Sequence, residues 1–344
     1  MRILKNPEGP AYDLEFSPDS RWLMAFRSGI ALGPMPSGDL KKVPGITNAY
    51  SAALAPSSLL VLLLSELVEI DPGTGERLRV RTLVDTTAAR CLAVSATAGV
   101  VVAVSNHPHL LLRWSWPGLE ILPPMRPGEL ASHGYPELRI SPDGRWLAMR
   151  HGNQLVELCD LATGTQKWKA TPPGLAGWSS LAFSPDSHRL AVGSGRHLTL
   201  LDVADGRALA SASLEKKYYR GLAFTPDGRF LAAVSHEETV KAYDAATLAL
   251  RHELAWEIGK LEQVAFSPDG MLGAATGGKK AILGTWIGEP GVGPDEGPAF
   301  AHPLAFQESG KEGSAIRPRM AMVSVARVAQ GGEAEQGAHL GQVG

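Results

Sequence analysis

The chain has 344 residues, enough for one large domain or two ordinary ones, and 33 Lys and Arg against 35 Asp and Glu leave a formal net charge of −2. That balance argues against a general nucleic-acid binder, which needs a basic surplus to neutralise phosphates. The apolar share of 44% and charged share of 20% exclude wholesale disorder, and two cysteines exclude a disulfide framework.

The N-terminus, MRILKNPEGPAYD, has no apolar core of a signal peptide, so cytoplasm is the expected compartment. Cys91 and Cys159 are then expected to be reduced packing residues. The most apolar run, Leu59 to Leu64, is too short to cross a bilayer and reads as a buried strand, so no membrane contact is expected.

An internal repeat organises the chain. FSPD or a close variant occurs at Phe16–Asp19, Ile140–Asp143, Phe183–Asp186, Phe224–Asp227 and Phe266–Asp269, and the last four Asp residues are 43, 41 and 42 positions apart. Asp19 and Asp143 are 124 apart, or three such steps, and eroded copies lie between them at Leu54–Ser57 and Val94–Thr97. Seven units result. Each good unit has an apolar run into the turn, a second run out of it, a third ending in Asp, a TG-type turn and a weaker fourth run. Four short strands per ~40 residues make one blade of a β-propeller. The expected fold is all-β, a seven-bladed propeller of four-stranded antiparallel blades over residues 1–287.

The turn motif has a local physical reason. Pro presets φ at the second turn position, and Gly144, Gly228 or Gly270 tolerates the left-handed conformation. Ser20 and Ser187 replace that Gly, at some strain. The Asp of each turn reads as turn geometry rather than catalysis, because equivalent sites around a ring do not converge on one substrate. The residue before the turn aromatic is Ala53, Ala93, Ala182, Ala223 or Ala265 in five units, as expected where blades converge on an axis. Glu15 and Arg139 are the exceptions, which marks units one and four as different near the channel.

The 41–43 spacing, FSPDG, and L-x-x-D followed by TG resemble the WD40-repeat family, in its divergent bacterial form, over residues 1 to about 287. The family's Trp-Asp pair is degenerate here (Cys159-Asp160, Leu201-Asp202, Tyr243-Asp244), and its Gly-His pair is missing. The resemblance implies a ring closed by pairing a strand from one terminus into the blade built by the other. Two segments are available for the fourth strand of unit seven: Arg2–Lys5 and Met322–Val328.

Residues 288–344 do not fit the repeat. They are rich in Gly, Ala, Glu and Pro, with seven acidic and four basic residues, and read as a poorly ordered tail or the product of a frame error.

The family topology places the segments leading into each first strand and the turns between second and third strands on one face. Those segments supply Tyr12, Tyr50, Arg90, Tyr135, Trp178, Tyr219 and Arg220. The turns supply Arg150, His151, Arg196, His197 and His236, with Arg27, His107, His109, Lys279 and Lys280. Tyr, Trp and Arg commonly anchor interfaces, so a docking face for an acidic peptide or protein loop is expected there, weakened by Glu66, Glu237, Glu238 and Glu262.

No catalytic motif is found: there is no G-x-S-x-G elbow and no P-loop. His107-Pro108-His109 lacks further ligands nearby, so no metal or other cofactor is expected. Thr163–Trp168 is similar to the blade motif of quinoprotein dehydrogenases, but the other units lack its Trp, which reads as local packing. The expected function is a non-catalytic interaction scaffold for a protein or peptide. The alternatives are a small-molecule or enzymatic site at the channel mouth, or a sensor module of a larger regulatory system.

Overall fold

The computed structural model describes residues 2–8, 11–27, 29–36, 39–83, 87–107, 110–126, 137–151, 155–174, 179–214, 218–255, 259–277, 280–287 and 299–300. The chain divides into two compact units, Met1–Leu304 and Ala305–Gly344, and the second lies outside the described residues.

The described residues form strands and turns only. After β1 (Arg2–Lys5), the first blade is β2 (Asp13–Phe16), β3 (Trp22–Phe26), β4 (Ile30–Pro34) and β5 (Lys41–Lys42). The second is β6 (Ser51–Leu54), β7 (Leu59–Leu62), β8 (Glu66–Ile70) and β9 (Arg77–Thr82). The third is β10 (Thr87–Ser95), β11 (Val100–His107), β12 (Leu110–Ser115) and β13 (Ile121–Met125). The fourth is β14 (Glu137–Ile140), β15 (Trp146–His151), β16 (Leu155–Asp160) and β17 (Gln166–Ala170). The fifth is β18 (Ser179–Phe183), β19 (Arg189–Ser194), β20 (His197–Asp202) and β21 (Ala208–Ser213). The sixth is β22 (Tyr219–Phe224), β23 (Phe230–Ser235), β24 (Thr239–Asp244) and β25 (Leu250–Ala255). A last sheet contains β26 (Leu261–Phe266), β27 (Leu272–Gly277) and β28 (Lys280–Ile287), with β29 (Ala299–Phe300).

The first six blades are antiparallel meanders of four strands. The last sheet takes its outer strand from the N-terminus: β1 pairs β28 from Arg2↔Leu283 to Lys5↔Lys280. Of the two segments the sequence offered, Arg2–Lys5 fills this place; Met322–Val328 lies outside the described residues. Short β29 also pairs β28, at Trp286↔Phe300. The pairing therefore reaches past residue 287, while the rest of the 288–344 segment lies outside the described residues.

Side-chain hydrogen bonds fix the turn after the first strand in five of the seven sheets. Ser267 Oγ donates to Asp269 Oδ1 at 2.6 Å and accepts the Leu272 N–H at 2.9 Å, and the Met271 N–H reaches Asp269 Oδ1 at 3.0 Å. The same set recurs at Ser17–Trp22, Ser141–Trp146, Ser184–Arg189 and Thr225–Phe230. Gly144, Gly228 and Gly270 have φ of 73°, 70° and 74°, and Ser20 and Ser187 take φ of 61° and 62° at the same place. Both serines gain a contact glycine lacks. Ser187 Oγ accepts the Asp143 N–H and Ser20 Oγ the Asp269 N–H, each at 3.1 Å, so each ties its turn to the preceding blade.

The Asp ending the third strand of blades four, five and six (Asp160, Asp202, Asp244) caps the next turn. Asp160 Oδ1 accepts the Ala162 and Thr163 N–H groups, and Gly164 then takes φ of 72°. These bonds from Thr163 hold the Asp160 carboxyl below its usual range.

The core is distributed. Seven apolar clusters each draw on two neighbouring sheets, and one joins Leu4, Leu272 and Ala274 to Leu14 and Leu23 of the first blade. First strands therefore stand side by side around an axis, with their inner edges unpaired. Side chains of neighbouring blades cover part of that edge. Glu15 Oε2 accepts the Leu54 N–H at 3.0 Å, Ser51 Oγ the Leu92 N–H at 2.9 Å, and Glu137 Oε1 the Leu181 N–H at 3.0 Å.

Candidate functional site

Two columns of the repeat shape the face where chain enters each first strand. At the entry to the first strand one side chain of each of five units points into the core: Ala11, Ala49, Ala89, Tyr219 and Leu261 are all buried. One residue later, in the first two blades, it is turned outward. Tyr12 is 43% and Tyr50 38% exposed, and the Arg27 guanidinium lies 4.7 Å from the Tyr12 ring centre. Arg196 and His197 are exposed in the β19–β20 turn. Tyr12, Tyr50, Arg196 and His197 thus reach solvent as expected.

Three expected surface residues do not. Tyr219 is only 1% exposed, and its hydroxyl lies 2.9 Å from that of Tyr243. It belongs to the buried column, and Tyr218, the residue before it, is 59% exposed instead. Arg150 is buried within β15 opposite Glu137 rather than presented by a turn. Arg220 is the bulged residue between Tyr219 and Gly221, and the bulge aims it at the next blade. There its guanidinium grips Glu262 Oε2 at 2.8 and 2.5 Å, with His236 Nε2 3.3 Å from Glu262 Oε1. That carboxylate neutralises the Arg220 charge on this face. Tyr135 and Trp178, and the side chains of Arg90 and His151, lie outside the described residues. Sequence reasoning also passed over Leu64, an exposed apolar residue of the β7–β8 turn.

The axis holds a cavity of about 360 Å³, lined by first-strand residues of all seven sheets. The alanine column contributes Ala53, Ala93, Ala182, Ala223 and Ala265, and Glu15 and Arg139 interrupt it. Asp13 and Gln263 add polar groups one layer away. Burial and the nearby Asp13 carboxylate push the Glu15 carboxyl up to about 8, against the Leu54 N–H and Arg139, which favour its ionised form. Burial also raises Glu137, although Arg139 Nη2 lies 3.2 Å from its Oε1. Cys91 sits at a bulge with φ of 55°; burial and Glu137 push its thiol up to about 12, which makes it a poor nucleophile.

His109 of the proposed histidine pair lies outside the described residues, as does the side chain of His107. Among the described residues no group of three His, Cys, Asp or Glu is placed to hold a metal. Trp168 donates its indole N–H to the Val203 carbonyl at 2.9 Å and roofs Gly206, where a Cβ would meet the ring at 2.8 Å. Its role is to pack blade four on blade five, as read from the sequence.

The model of the WD domain, G-beta repeat, matches residues 213–244, which span β22 to β24. The chain is similar to an uncharacterized WD repeat-containing protein of Synechocystis sp., at 30% identity over 134 residues. That match covers 39% of this chain and 38% of the relative. It is similar to WD repeat-containing protein SL1-17 of Schistosoma mansoni, at 30% identity over 175 residues, 50% of this chain and 56% of that one. In both cases the chain spans less than two thirds of the relative's length.

Proposed function

Because the chain belongs to the WD40-repeat family, we propose that it is a non-catalytic scaffold: a closed seven-bladed ring that binds a peptide or protein loop on the face carrying Tyr12, Tyr50, Tyr218, Arg196 and His197. The observation that carries this reading is the exposure of Tyr12, Tyr50 and Tyr218 where the chain enters three of the first strands. Large amphipathic rings held out of the core, with Leu64 beside them, are the side chains that anchor interfaces. Arg27 and Arg196 present cationic groups at the surface of this face, which favours an acidic partner segment.

The test replaces Tyr50 and Tyr218 together by Ala and compares the proteins retained from source-cell extract, by mass spectrometry, with those held by the native chain. Neither ring is in the core, so Tm should not move. A protein held by the native chain and lost from the double variant supports the face. Identical retention by both rejects it.

A further inference from the structure

We propose that the axial channel is a binding site for a small zwitterion of the α-amino acid class, with its ammonium on the Asp13 carboxylate and the acceptor oxygen of the Glu15 carboxyl, and its carboxylate on the Arg139 guanidinium. This goes beyond the docking face, which uses other residues, so either idea can fail alone.

The argument begins with the alanine column. Five sheets show that Ala meets the packing requirement where first strands converge. Polar side chains at the other two positions are not required by packing: burial favours the neutral form of the Glu15 carboxyl, and although burial also opposes the Arg139 charge, Glu137, Asp13 and Glu15 together hold its guanidinium ionised. The partners in place are incomplete. Glu15 caps the Leu54 N–H, and Arg139 bonds its own neighbour's carbonyl, Leu138 O, at 2.9 Å and touches one oxygen of Glu137. Glu137 Oε2 is buried and has no hydrogen-bond partner, while the Arg139 side chain remains 39% exposed.

The cavity therefore presents acceptors from Asp13 and Glu15, a guanidinium from Arg139 and an amide from Gln263 around small apolar walls. Arg139 is electrostatically coupled to both Asp13 and Glu15, so opposite charges share one chamber. A ligand with one charge would leave one side uncompensated, whereas a zwitterion answers both. A volume of about 360 Å³ lies at the small end of ligand cavities and suits a molecule of this size. Planar guanidinium matches carboxylate geometry.

The experiment titrates the full chain with each of the twenty amino acids by calorimetry, then repeats the best binder as its N-acetyl and its carboxamide forms. Glu15→Ala and Arg139→Ala install the residue used by the other sheets, so both variants should fold, with circular dichroism as the check. At least one amino acid should bind with Kd below about 1 mM. Blocking either end, or making either substitution, should weaken binding roughly tenfold or more. No binding by any amino acid at that level, or equal binding by the blocked forms, overturns the proposal. Equal binding by the folded Ala variants overturns it too.

Discussion

Glu15 occupies a position where most blades carry alanine, and its cost depends on pH. Its carboxyl is raised from 4.5 to about 8, first by burial and then by Asp13. Between those values the unfolded chain has lost the proton and the folded chain retains it. The folded state then binds more protons, so stability falls as pH rises from 4.5 to about 8 and is level above that. Glu137 shifts in the same direction, while Arg139 favours the ionised form of both carboxyls. Thermal melts of the native chain and Glu15→Ala across this window isolate the Glu15 part. The native curve should lose Tm relative to the variant as pH rises. Parallel curves would mean that Glu15 ionises as an ordinary glutamate.

At the scale of the element, the turn after the first strand shows how a substitution against local preference is offset. A left-handed conformation costs a non-glycine residue roughly 1–2 kcal/mol, and one hydrogen bond returns about 1 kcal/mol. Ser187 has both terms, with φ of 62° and its bond to the Asp143 N–H. Ser187→Gly loses both and should leave stability nearly unchanged. Ser187→Ala keeps the strain and loses the bond, so denaturant melts should place it about 1 kcal/mol below the native chain. Equal stability of the Ala and Gly variants would remove the argument. The strain at Ser20 and Ser187 was legible in the sequence, because the repeat aligns them with glycine. Their bonds to the preceding blade were not, since those depend on how sheets pack. The repeat also located both eroded units, where β6–β7 and β10–β11 form. Tyr219 was misplaced because aromatic character was read without its column. Ala11, Ala49, Ala89 and Leu261 in the other units mark that column as apolar. Arg220 was misplaced because a bulge, invisible to spacing, turns it toward Glu262.

At the scale of the molecule, stability resides in layers between neighbouring sheets, so one weak junction exposes two faces. The junction between the last sheet and the first blade is built from opposite ends of the repeat region. β1 pairs β28, Leu4 is buried, Ser20 Oγ accepts the Asp269 N–H, and Thr276 Oγ1 donates to the Ala11 carbonyl at 3.3 Å. Removing residues 1–6 should uncover the β28 edge and the apolar surface beneath Leu4, while leaving the Ser20–Asp269 bond without support from its own sheet edge. Leu4 alone accounts for about 2 kcal/mol of burial, and an unpaired strand edge is a template for association. The shortened chain should melt lower and elute as larger species by size-exclusion chromatography. If the N-terminal truncation matches the full chain in both measurements, the ring does not depend on β1 for closure, and the bonds of Ser20 and Thr276 must hold that junction by themselves.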